Sequence, residues 1–217
     1  MKSLEELIDL KEPALALMNA WISSATNHCV LLPPSANRSE VLLSAQVTTR
    51  SLMGAVVYET GGVLVDHNWL RFLGSGHPKL SRKLPEWNND KANLCYFIAD
   101  DAAGGFFALN GGAFGKDLNN VYYWPPDSLE WEPIELGYTE FFRWALTGDL
   151  KKFYSGSRWS TWKQDVSSLP GDRCFDFYPP LWSKEGSAEN SRRATVPIEE
   201  AFILKTDIHR QINERKT

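Results

Sequence analysis

Residues Asn93–Pro133 read NLCYFIADDAAGGFFALNGGAFGKDLNNVYYWPPDSLEWEP, and this stretch decides the fold. Short aromatic and β-branched runs alternate with clusters of Gly, Asn, Asp and Pro. Strand formers inside and turn formers at the bends spell an antiparallel meander. Strands are expected at Leu94–Ala99, Gly105–Leu109, Val121–Trp124 and Leu129–Ile134. In the first, Tyr96 and Ile98 point to one face and Cys95 and Phe97 to the other. Both faces are apolar, so this strand belongs at the centre of its sheet, covered by helices on at least one side.

Upstream, Ser3 with Glu6 three residues on writes a capping box for a short helix through Leu4, Leu7 and Ile8. Pro13 opens a second helix with Leu17, Met18, Trp21 and Ile22 on one side. Cys29–Leu32 reads as a strand stopped by Pro33–Pro34, and Asn37 or Ser39 caps a helix through Val41, Leu42 and Ala45. SLMGAVVYETGG at Ser51–Gly62 fits a helical stripe of Leu52, Met53, Val56, Val57 and Thr60, with Gly61 as its stop, although Gly54 and Val56–Val57 leave a strand open. Strands at Val63–Val65 and Trp69–Leu73 follow, and polar Lys79–Lys91 reads as loop. Downstream, Thr139 caps a helix bearing Phe142, Ala145 and Leu146, and Asp149 caps a further turn. Cys174–Tyr178 reads as a strand, KEGSAENSRRAT (Lys184–Thr195) as an exposed linker. Pro197 opens a last helix with Ala201, Leu204, Ile208 and Ile212 at helical spacing.

The chain has 217 residues, with 43% hydrophobic and 23% charged, ordinary values for a soluble globular protein. A net charge of −4 opposes a main role on nucleic-acid backbone. Glu5, Glu6 and Asp9 interrupt what a signal peptide would need as an apolar core, and no apolar run is long enough for a membrane span. A cytoplasmic location is expected, with Cys29, Cys95 and Cys174 as free thiols. No cofactor is called for.

The phrases ETGGVLVDHNWLRFLGSG, FIADDAAGGFFALNGG, VYYWPPDSLEWEPIELGYTEFFRWALTG and FYSGSRW resemble a bacterial family of unknown function, DUF2625, over about Ser51 to Trp182. More distantly, their order is similar to the SUKH superfamily, which contains immunity proteins that neutralise toxins by binding them. The resemblance implies an α+β fold: a mostly antiparallel curved sheet with helices packed on one side. A single domain then has its core at about 51–156, N-terminal helices in 1–48 and a C-terminal extension at 157–217. Neither family supplies a catalytic or contact residue that transfers to this chain.

Candidate sites compete with plainer explanations. Asp100–Asp101 before Gly104–Gly105 fits a cation-binding turn, and fits an ordinary turn between strands better, since no further carboxylate stands at a ligand spacing. Asp66, Ser75 and His77 lack the frame of a nucleophile elbow. The four histidines are scattered singly, without zinc spacing. NGGAFGK lacks the GK[ST] of a phosphate loop and reads as a bend. Nine tryptophans are many for this length; Trp124 and Trp144 read as core, whereas Trp159, Trp162 and Trp182 lie in irregular sequence and could equally form a contact surface. Between Ile98 and Glu140 eight carboxylates face one lysine. Shared on one face, they would steer a basic protein such as a toxin. The expected partner-binding set is Asp100, Asp101, Asp127, Glu130, Glu132, Trp131, Trp159 and Trp162, with no catalytic or metal-binding residue assigned. The alternatives are a carbohydrate-binding or hydrolytic enzyme using tryptophans beside carboxylates, and a scaffold that pairs through its sheet.

Overall fold

The computed structural model describes residues 1–91 and 93–214, with Ile212 and Asn213 as backbone alone. The meander forms and extends beyond the four strands of the quoted stretch. Strands β1 (Cys29–Leu32), β2 (Gly62–Val65), β3 (Leu70–Leu73), β4 (Cys95–Asp101), β5 (Phe106–Asn110), β6 (Asn120–Trp124) and β7 (Glu132–Gly137) make a seven-stranded sheet in chain order. Every neighbouring pair is antiparallel. β4 is the middle strand, as its two apolar faces demand. Register shifts at Phe97/Ala99 and at Asn120/Tyr122 mark bulges, which bend and twist a sheet locally.

Helices α1 (Leu4–Leu7), α2 (Leu15–Ser23), α3 (Arg38–Ala45) and α4 (Leu52–Glu59) come early; α5 (Leu84–Asn88) sits between β3 and β4. After β7 come α6 (Tyr138–Thr147), α7 (Leu150–Phe153) and α8 (Trp162–Ser167), then the hairpin of β8 (Arg173–Tyr178) and β9 (Arg192–Pro197), then α9 (Ile198–Glu214). Ser3 and Glu6 exchange the two bonds of a capping box. Ser51 caps α4 by accepting from the Gly54 amide, which settles that segment as helix. α4 ends through Thr60, and Gly62 rather than Gly61 takes the positive φ, at 145°. β7 runs straight into α6, so Gly137 and not Thr139 is the N-cap.

Residues adjacent in a strand show which element covers which face. On β5, Phe107 meets Phe141 of α6 at 4.9 Å, while its neighbour Phe106 meets Phe202 of α9 at 5.2 Å. Successive side chains point to opposite faces, so α6 and α9 lie on opposite sides of the sheet. The expectation of helices on one side is therefore corrected. The C-terminal extension closes over the second face, and each buried Phe there contributes about 1.5–3 kcal/mol.

Two other segments differ from expectation for the same reason. Lys79–Lys91 contains α5, held because the Asn88 amide donates to the Leu84 and Phe97 carbonyls and its oxygen accepts from the Phe97 amide. The segment expected as a linker ends in β9, with Ala188 and Ser191 buried. Such short elements draw their stability from tertiary contact rather than local propensity.

Candidate functional site

Asp100 and Asp101 do not reach solvent; both are 0% exposed. Asp100 pairs across the sheet with Arg71, whose Nε donates to Oδ1 at 2.7 Å. Arg82 Nη1 donates to the other oxygen at 2.6 Å and its Nε reaches Asp172 at 3.0 Å. Arg71 also donates to the carbonyls of Arg173 and Asp101. This network ties the β8 hairpin to the sheet, with every charge paired, as burial requires. Asp101 points to the other face. Its Oδ1 accepts from the Ala103 and Gly105 amides and its Oδ2 from the Tyr123 hydroxyl at 2.6 Å, while burial raises its pKa. Both residues belong to the interior, which removes them from any docking face and from any hydrolytic pair.

The remaining expected carboxylates, Asp127, Glu130 and Glu132, are exposed at the β6–β7 turn and the start of β7. Trp131 between them is half-buried, stacked on Trp124 at 5.2 Å and packed on Phe114 at 4.4 Å. Next to that turn lies a groove between the β8–β9 hairpin and α9. Pro126, Phe177, Leu181, Trp182, Leu204 and Asp176 are among its lining. Trp182 is 43% exposed and Leu204 53%, and Tyr178 at 74% stands at the end of the same hairpin strand. Beneath the groove Lys205 is buried and donates to the carbonyls of Trp124 and Pro125. Burial pulls its ammonium pKa down to about 7, with Asp101, Asp127 and Glu132 among the groups that oppose the shift.

Trp159 and Trp162 part company with the acidic turn. Trp159 is 2% exposed; it packs on Trp69, Phe175 and Phe177 and donates through Nε1 to Asp165. Trp162 is half-buried and lies over the Arg158 guanidinium at 3.9 Å, while Trp69 and Tyr154 flank that cation at 4.7 and 4.9 Å. Asp66 Oδ2 lies 2.7 Å from Arg158 Nη2. Ser75 is instead sealed, donating to the Thr60 carbonyl, so Asp66, Ser75 and His77 form no catalytic set. Among the described residues no three His, Cys, Asp or Glu side chains gather to hold a metal, and no helix is long and apolar enough to cross a membrane.

Sequence reasoning missed Arg71, Arg158 and Lys205. Arg71 and Lys205 are placed by partners remote in the chain, and Arg158 owes its charge partner, Asp66, to a remote turn although Tyr154 and Trp162 are near it in sequence. For Trp182 the irregular polar sequence around it is the local signal of exposure.

Fold and site together define an α+β protein with a polar-rimmed apolar groove. The chain belongs to the family described as "Protein of unknown function DUF2625", whose model matches residues 4–201. It is 44% identical over 209 residues to the uncharacterised YbfG of Escherichia coli (strain K12), covering 94% of this chain and 96% of that one. An uncharacterised protein of Haemophilus influenzae is 41% identical over 221 residues, covering 98% and 94% respectively. No solved structure gives a significant match.

Proposed function

We propose that this protein is a binding module for a basic partner protein, and that the partner docks on the groove between α9 and the β8–β9 hairpin. The observation that carries this is the exposure of Trp182, Leu204 and Tyr178 beside the exposed carboxylates Asp127, Asp176, Glu130 and Glu132. An aromatic anchor in an apolar groove with a charged rim is the usual anatomy of a protein-recognition surface. The carboxylates raise the association rate of a basic partner, and the apolar groove holds it. The action would be neutralisation by occlusion, with the toxin class as the chemistry that fits such a rim, because proteins acting on polyanions are basic. The acidic, aromatic-rimmed surface thus keeps Asp127, Glu130, Glu132 and half-buried Trp131 of the expected set and gains Trp182 and Leu204.

The test compares the wild type with Trp182→Ala/Leu204→Ser and with Asp127→Lys/Glu130→Lys/Glu132→Lys in pull-downs from lysate of the source strain. A basic partner retained by the wild type, lost by the first variant and salt-sensitive through the second supports the proposal. Loss of an anchoring aromatic should weaken binding by about 2 kcal/mol, roughly thirtyfold. Equal retention by all three proteins refutes it.

A further inference from the structure

We propose that a second cleft, lined in part by Trp162, binds a phosphate group. The cleft lies between the β2–β3 turn and the α6–α8 segment and encloses about 670 Å³. That volume is within the roughly 300–1,000 Å³ of small-molecule sites. Its charged lining is Lys151, Arg158 and Lys163 against Asp66 and Asp149.

Arg158 is the most buried cation of the cleft. Its side chain is 8% exposed and caged by Trp69, Tyr154 and Trp162. Its Nε has no hydrogen-bond partner, whereas Nη2 pairs with Asp66 Oδ2 at 2.7 Å. The Tyr154 hydroxyl and Trp69 Nε1 around it are likewise buried and unpartnered. Buried polar groups are rarely left so, and of these three residues Arg158 lines the cleft. Guanidinium donors in a fixed plane suit phosphate oxygens.

The opposing carboxylate is held by an unusual turn. Asp66, His67 and Asn68 all take left-handed backbone angles, with φ of 50°, 59° and 72°. Such a run costs conformational energy even for Asp, His and Asn, which tolerate that region best. It is fastened by the Asn68 amide, which donates to the Val166 and Leu169 carbonyls, and by the His67 ring stacked on His28 at 4.7 Å. The turn delivers Asp66 to Arg158, so that one cation is partly neutralised and orientated. Asp149 is occupied in accepting from the Lys152 amide. Lys151 and Lys163 are exposed and, among the described residues, form no ion pair with a carboxylate. Three cations against two carboxylates leave the lining net positive, which favours an anion, and the planar guanidinium among them favours the oxygens of a phosphate.

Isothermal titration calorimetry with inorganic phosphate and with phenyl phosphate tests the assignment, using the full chain as wild type, as Lys151→Ala/Lys163→Ala and as Arg158→Lys. The lysines are exposed, so their variant keeps the fold even if Arg158→Lys does not. Expected is saturable binding of at least one probe, weakened about tenfold or more in the double variant as two charge-assisted contacts disappear. Tighter binding of phenyl phosphate assigns the site to a phosphate monoester, and tighter binding of inorganic phosphate to the free ion; either supports the phosphate site. Absence of saturable binding of both up to about 10 mM, or a double variant that binds like the wild type, overturns it.

Discussion

Replacing Asp100 by Asn separates a buried from a surface role for this carboxylate. The substitution keeps the shape and one carbonyl oxygen, removes the charge, and turns the other acceptor into an amide donor that faces a guanidinium donor. Arg71, 0% exposed in its side chain, then keeps the Asp101 and Arg173 carbonyls but has no anion at 2.5 Å. Arg82, 9% exposed, keeps Asp172 as its ion-pair partner and the Gly171 carbonyl. Removing one partner of a buried pair costs about 3–5 kcal/mol, since the charge left behind is uncompensated. For a chain of this size each kcal/mol lowers Tm by roughly 2–4 °C, so a fall of about 6–20 °C is expected. The control is Glu130→Gln on the exposed turn, expected within about 0.5 kcal/mol of the wild type. Thermal melts followed by circular dichroism compare the three proteins, with urea titrations to check that the m-value is unchanged. An Asp100→Asn protein that melts within about 2 °C of the wild type would refute the buried network as a determinant of stability.

Two further outcomes follow from the packing. Gly54→Ala should destabilise the fold by about 1–3 kcal/mol despite alanine's better helix propensity, because its Cβ would stand 2.0 Å from the Thr48 carbonyl oxygen. Urea denaturation measures this, and a variant as stable as the wild type would show that the 48–49 backbone yields freely. Lys205 gives a pH signature: with its folded pKa lowered to about 7 from 10.5, the unfolded chain holds a proton the folded one has lost, so stability rises with pH from about 7. Above about 9 the half-buried Cys29 and buried Cys174 thiols, pushed up to about 12, act in the opposite sense, so the rise is read below that point. Lys205→Met should flatten the change in urea midpoint between about pH 7 and about pH 8.5, and parallel slopes for the two proteins would sink the assignment.

The sequence by itself determined the meander, because alternation and turn chemistry are local. Leu94–Ala99 is apolar on both faces and therefore central, and the caps at Ser3 and Asp149 act within three residues of their helix starts. What it could not decide was the fate of each charge. Asp100 and Glu130 belong to one acidic stretch, yet the first meets Arg71 and Arg82, 29 and 18 residues away, while the second meets water. Arg158 likewise acquires its meaning from Asp66 and Trp69, which come from the β2–β3 turn, remote from it in the chain. Only the tertiary structure settled that α9 and the β8–β9 hairpin cover the second face of the sheet. A short hairpin and a helix with exposed Leu204 carry no local mark of the surface they meet, because burial is a property of the partner as much as of the residue.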